Sequence, residues 1–248
     1  MRKSVTIITA TTGNPLLIDN LKSVGNQDYD GYIQHLVFVD GEHNRQKVDQ
    51  IISENKLENP NLDVIYLPYS TGKDRFNGHR IYGAGTYLSE GDFLMFLDDD
   101  NYIDSTHVSD CMKVIENGKQ WAYSFRKIVD KERNVLCQDD CESLGKWHSV
   151  IHPQDFFVDV NCYFLPKNLA LSMSPVWYRK FREPGQMEID RAMFHVLNQL
   201  SNNFDATYNY TVNYTVGNTA LSVTADFFLQ GNQRMLQLYS GNLPWKKN

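Results

Sequence analysis

Four short apolar runs punctuate the first part of the chain: residues 5–10 (VTIITA), 35–39 (HLVFV), 62–67 (LDVIYL) and 93–97 (FLMFL). Between them, apolar residues recur at helical spacing. Leu16, Leu17, Ile18 and Leu21 share a face over 15–24, Val48, Ile51 and Ile52 do so over 45–55, and 77–88 forms a further helix. Continuous apolar strands alternating with helices predict a doubly wound, mostly parallel α/β sheet, because a strand covered on both faces has no polar side to alternate with. Ligands of such sheets bind beyond the carboxyl ends of the strands. Here those ends carry Thr9, Ala10, Thr11 and Thr12, then Asp40 to Glu42, then the segment 68–80, then Asp98 to Asn101. The unusual polar residues of this half therefore converge on one edge.

The sharpest chemical signal is Phe96-Leu97-Asp98-Asp99-Asp100-Asn101, an apolar strand delivering three adjacent carboxylates. Neighbouring like charges raise the cost of ionising all three, and a divalent cation removes that cost. Hard carboxylate oxygens suit Mn²⁺ or Mg²⁺, and a diphosphate can complete the octahedron. The triplet Asp98, Asp99 and Asp100 is the candidate site for that cation. The alternative is a solvated acidic turn that starts the next helix; position at the sheet's ligand edge favours the metal. Lys73, Arg75 and Arg80 bring positive charge that would offset a diphosphate, while Gly83 and Gly85 allow a helix to approach the sheet closely. Exposed cations are otherwise simply solvated. A carboxylate just past a strand, as at Asp40, can accept from a ribose hydroxyl or a base N–H. Asp40-Gly41 is equally a turn pair.

The second half is less regular. Helices are expected over 106–116 and 187–200, the latter with Ile189, Met193, Val196 and Leu197 on one face. Residues 121–129 and 134–137 pair around a charged turn, 153–163 passes from a turn into an aromatic strand, and alternating Tyr208, Tyr210, Val212 and Tyr214 read as a strand. An irregular, Gly/Asn-rich tail follows to Trp245.

Composition narrows the partners. The chain has 248 residues, 42 % hydrophobic and 12 % aromatic, enough for a folded core. A net charge of −6 argues against nucleic acid and against broad contact with an anionic membrane. No run approaches the roughly 18 apolar residues of a membrane span, and no secretory signal is apparent. A cytoplasmic protein is expected, with peripheral membrane contact left open. Cys111, Cys137, Cys141 and Cys162 are then expected as thiols, and the Cys137/Cys141 pair lacks the second pair a zinc site needs.

The order of residues 5–11, Val39-Asp40-Gly41, Arg80-Ile81-Tyr82-Gly83 and Phe96-Leu97-Asp98-Asp99-Asp100-Asn101 resembles the inverting, family 2-like glycosyltransferases of GT-A fold. The resemblance covers residues 4–101 well and the remainder loosely. It implies a catalytic domain over 1–203, with a nucleotide-sugar-binding half (1–101) and an acceptor half (102–203), and an extension over 204–248 packed on the same domain. It implies Asp40 as base contact, Arg80 as nucleotide-site arginine, Asp98 on the ribose side and Asp100 on the metal. The donor implied is a nucleotide diphosphate sugar, a UDP-sugar first, and the acceptor a hydroxyl of a saccharide or glycoconjugate. The family's general base comes from an acidic pair opening a late helix. Here Glu188 and Asp190 flank Ile189, and the spacing to Leu197 favours Asp190, with Glu188 in reserve; acids at a helix start also complement its dipole. The family sometimes adds a late His, which makes His148, His152 and His195 candidate third metal ligands, though a lone histidine is more often a packing or surface residue. Trp147 and Trp177 are either platforms for acceptor sugars or core, and 159–162 lies where the family builds its acceptor wall. Two departures stand out: Asp40 is followed by Gly-Glu, and Ile81 replaces the family's Asn after the arginine. Competing readings are a sugar-nucleotide pyrophosphorylase, whose Gly-rich, arginine-containing loop is missing from Thr11-Thr12-Gly13-Asn14, and a non-catalytic nucleotide-sugar- or cation-binding module.

Overall fold

The structure, a computed structural model, describes residues 2–57, 59–73, 76–153, 155–179, 189–218 and 223–246. The four apolar runs form parallel strands β1 (Val5–Thr11), β2 (Ile33–Val39), β3 (Leu62–Tyr66) and β4 (Phe93–Phe96), in spatial order β3-β2-β1-β4. Helices α1 (Leu17–Gly25), α2 (Arg45–Glu54) and α3 (His79–Leu88) connect them. Strand β2 shows why no polar alternation appears. Val37 and Val39 pack with Leu17, Leu21 and Val48 on one face, whereas Leu36 and Phe38 join the main core on the other. Gly85 lets α3 sit against the sheet: a Cβ there would lie 2.9 Å from Phe38 and 3.0 Å from Ile8. Gly83 instead faces Ser174 and Trp177 of α5 (Lys167–Trp177), so it serves a helix pair rather than the sheet.

Beyond β4 come β5 (Tyr102–Ile103), α4 (His107–Glu116), β6 (Trp121–Val129), β7 (Val135–Gln138), β8 (Tyr163–Pro166), α5, α6 (Ile189–Leu200), β9 (Phe204–Thr215) and α7 (Ala225–Leu238). Among the described residues these strands extend the sheet to nine, ordered β3-β2-β1-β4-β8-β6-β9-β5 with β7 paired to β6. Strands β6 and β9 run with the first four, and β5, β7 and β8 run against them. The result is a mixed α/β, GT-A-like fold with a mostly parallel sheet, as the sequence predicts.

Three expectations need correction. The aromatic strand expected over 153–163 begins only at Tyr163, because Asp159 caps a tight turn at Val160–Cys162 by accepting from the Asn161 N–H. Phe157 and Val158 are buried there without strand pairing. Helix α5 goes unpredicted, its pattern broken by Pro175 near the end. The C-terminal region is not irregular: α7 turns Phe228, Gly231 and Met235 inward at helical spacing, and Trp245 is fully buried, its indole N–H donating to Asp140 at 2.8 Å. Cys111, Cys141 and Cys162 are buried thiols and Cys137 is half-buried. No helix among the described residues is long and apolar enough to cross a membrane.

Candidate active site

The strand ends open into a cleft of about 680 Å³. Ala10 and Thr11 of β1, Thr12 just past it, Asp40 after β2, Tyr82 of α3 and Asp98 to Asn101 after β4 line it. So do Asp159, Asp190 of α6, Tyr214 and Thr215 at the end of β9, and Asn218 beyond it. Thr9 lies two residues deeper in β1 than Thr11 and does not line this cleft. It is fully buried, with its hydroxyl 3.1 Å from His35 Nε2 and 3.4 Å from Asn20. Thr9, expected at the ligand edge, therefore lies below the cleft lining. Asn20 in turn donates to the Asp98 carbonyl at 2.9 Å.

Each aspartate of the triplet has its own surroundings. Asp98 accepts from the Tyr82 hydroxyl on Oδ1 and from Asn161 Nδ2 at 2.9 Å on Oδ2. Burial, with Asp159 nearby, raises its pKa. Asp99 accepts from the Thr11 hydroxyl at 2.6 Å, and burial together with Asp98 pushes it up to about 6. Asp100 accepts from Asn218 Nδ2, and burial followed by Asp98 and Asp99 pushes it up to about 7. Burial and mutual repulsion thus make it costly to ionise all three, a cost that a bound cation would offset. The described cleft lining carries six aspartates (40, 98, 99, 100, 159 and 190) and no lysine or arginine. A bare diphosphate would be repelled from it.

Among the described residues, no three His, Cys, Asp or Glu side chains cage a metal by themselves. A hard cation here would take one or two carboxylate oxygens and complete its shell from diphosphate and water, the usual manner of Mg²⁺. The donor set fits such an ion.

The basic loop acts on the cleft at one remove. Asp40 accepts from the Thr71 N–H at 2.5 Å, the Thr71 hydroxyl at 3.0 Å and the Gly72 N–H at 3.0 Å. Arg80 donates to the Thr71 carbonyl at 3.0 Å and stacks 3.7 Å over the Phe76 ring. Arg80 and Asp40 hold the same residue from opposite sides, and Arg80 itself is not in the cleft lining. Gly72 is required: a Cβ there would meet the Asn77 carbonyl at 2.8 Å. The turn reading of Asp40-Gly41 is realised too, since Gly41 has φ +99°. Lys73 is exposed outside the lining. Arg75 and Glu188 lie outside the described residues.

None of His148, His152 and His195 lines the cleft; His79 does. Its pKa is lowered by burial, against the pull of Asp98. Trp177 is core, 5.1 Å from Phe96 and 5.5 Å from Tyr82, and Trp147 packs on Trp245 at 5.7 Å. Sequence reading missed roles for Tyr82, His79, Asn218, Tyr214 and Thr215. Tyr82 sits inside the quoted arginine motif, which was the available signal. The β9 residues carry none, because only the sheet order brings them beside Asp100.

No family model matches the chain, and no curated protein matches it. Solved structures do. A crystal structure of S. aureus TarS aligns over 86 % of this chain and 37 % of that one, at 19 % identity and TM-score 0.60. TarS 1–349 in complex with UDP aligns over 98 % and 67 %, at 18 % identity and TM-score 0.59. TarS 1–349 in complex with UDP-GlcNAc aligns over 95 % and 66 %, at 18 % identity and TM-score 0.59. The likeness is one of fold, and the chain spans little more than a third of the first of these.

Proposed function

We propose that this chain is a glycosyltransferase that moves a sugar from a UDP-sugar to a hydroxyl of a saccharide or glycoconjugate acceptor, inverting the anomeric carbon. One observation carries this reading: the parallel strand ends bring Asp40 and Asp98 to Asp100 into the same cleft as Asp190. The TarS structures with UDP and UDP-GlcNAc support a uridine nucleotide as donor.

The charge inventory of the described lining supports a metal requirement. Its six aspartates admit a diphosphate only with compensating positive charge. Asp100 and Asp98 would hold Mn²⁺ or Mg²⁺, which would supply that charge and Lewis acidity toward the departing diphosphate. Thr11 orients Asp99 beside them. Asp40 and the loop it fixes at Thr71 and Gly72 face the base and ribose, next to Ala10 and Thr11. Arg80 shapes that loop and, with Lys73, supplies positive charge at its rim. Asp190 takes the acceptor hydroxyl's proton as its oxygen attacks from the face opposite the leaving UDP. Glu188 is the reserve for that role.

The test is release of UDP from UDP-sugars over a broad acceptor panel, with Mn²⁺ and with chelator. The proposal expects release that needs both metal and acceptor. Binding without turnover against every acceptor would instead identify a binding module, and nucleoside triphosphate formed on adding pyrophosphate would identify a pyrophosphorylase.

A further inference from the structure

Asn161 stands between two carboxylates in a single hydrogen-bonded orientation. Its Nδ2 donates to Asp159 Oδ1 at 2.7 Å and to Asp98 Oδ2 at 2.9 Å. Its Oδ1 accepts from the Asp98 backbone N–H at 2.6 Å. An amide has two N–H donors, and both are spent on carboxylates. A flipped amide would set its carbonyl against both of them and its NH₂ against a backbone N–H, so the orientation is unique.

The far end of this path is anchored inside the protein. Asp159 Oδ1 also accepts the Asn161 backbone N–H at 3.0 Å, and its Oδ2 accepts from Arg126 Nη1. Arg126, in the middle of β6, is only 1 % exposed. Its other N–H groups reach Asp139 at 2.8 Å and Glu142 at 2.6 Å. Asp139 is fixed in turn by three backbone N–H groups, from Cys141, Glu142 and Ser143. At the near end, Tyr82 holds the other oxygen of Asp98.

A fold seeking stability alone gains little from such an arrangement, since apolar residues of equal volume serve as well as a buried ion cluster. Here three carboxylates surround one guanidinium, and the excess negative charge lies beside a fourth carboxylate, Asp98. The oriented amide of Asn161 donates to both Asp159 and Asp98, which stand one side chain apart. We infer that Asn161 is a positioning residue of the donor subsite, carrying the fixed geometry of the Arg126–Asp159 ion pair to the Asp98 carboxylate. The inference rests on the donor reading given above. It follows the general pattern in which outer partners orient the groups that meet a ligand.

The test is a titration of UDP into the full chain at saturating Mn²⁺, using wild type, Asn161→Ala, Asp98→Asn and the double variant. Asp98→Asn keeps the volume of the side chain, so binding stays titratable at millimolar UDP. If Asn161 acts through Asp98, Asn161→Ala weakens UDP binding about tenfold alone and less than about twofold in the Asp98→Asn background, the signature of coupled neighbours. Equal weakening in both backgrounds, which a merely structural role produces, overturns the inference, as does wild-type affinity in Asn161→Ala. Should Asn161→Ala not fold, Asp159→Asn removes the same anchor isosterically and is read by the same criterion. A wild type that binds no UDP at all sinks the donor reading and this inference with it, an outcome distinct from the others.

Discussion

Residues 5–101 and residues 102–246 reach the same cleft by different physical means. The first stretch brings its cleft-facing polar groups to the ends of largely apolar strands, and His35, buried inside β2, is kept neutral: burial alone holds its pKa down to about 3. The second buries a charge in the middle of a strand. Although burial lowers the pKa of Arg126, Asp159, Asp139 and Glu142 together hold it well above its ordinary value. The first stretch thus supplies most of the acidic groups that face the cleft, and the second supplies the anchor for Asp98 and the candidate base. A ligand-facing carboxylate keeps its place through an ionic framework, whereas a sheet core needs only shape and apolar area.

The largest expected effect separates binding from chemistry. Asp190→Asn keeps the side-chain volume but cannot take a proton, so transfer should fall roughly a hundredfold to ten-thousandfold. UDP affinity should stay within about twofold, since the donor groups come mainly from the first stretch. Steady-state kinetics paired with calorimetric UDP titration reads both; unchanged transfer would move the base to Glu188.

Next is the ionic framework. Arg126→Met leaves Asp139, Glu142 and Asp159 without their cation, and loss of one partner from a buried pair costs roughly 3–5 kcal/mol. Urea unfolding at neutral pH should show that loss. A change under about 1 kcal/mol would mean that the two stretches are not held by different forces after all.

The smallest effect belongs to His35. An unfolded histidine titrates near 6.5, while the folded one stays neutral to about 3. As pH falls through this window the unfolded chain takes up a proton that the native state refuses, so stability drops by up to roughly 1.4 kcal/mol per pH unit. Above about pH 7.5 neither state binds it and the effect vanishes. Unfolding curves at pH 7.5 and 5 should therefore show a smaller loss in His35→Gln than in wild type. Equal losses would mean that the ring becomes protonated in the native state.

The same contrast governs what the sequence makes legible. Parallel strands buried on both faces announce themselves as VTIITA, HLVFV and FLMFL, and the rule that ligands gather at their carboxyl ends placed Ala10, Thr11, Asp40 and Asp98 to Asp100 on one edge. Thr9 falls outside the lining because the sequence does not show how deep along β1 the cleft begins. Arg126 could not be read as buried, since an arginine in a strand pattern is normally a solvated face and its three partners lie 13 to 33 residues further on. Asn161 and Asn218 are likewise tied to the triplet across 63 and 118 residues, separations at which neither periodicity nor motif carries information. Helix α7 escaped because its inward residues Phe228, Gly231 and Met235 include a glycine, which reads as a breaker until Cys141 is seen packed against it.

The central claim is that Asp98 to Asp100 hold a cation which in turn holds a diphosphate. The direct measurement is calorimetric titration of UDP into wild type with Mn²⁺, into wild type with chelator, and into Asp100→Ala with Mn²⁺. The account predicts binding in the first and affinity at least about tenfold weaker, ~1.4 kcal/mol, in the other two. Equal affinity in all three would contradict it.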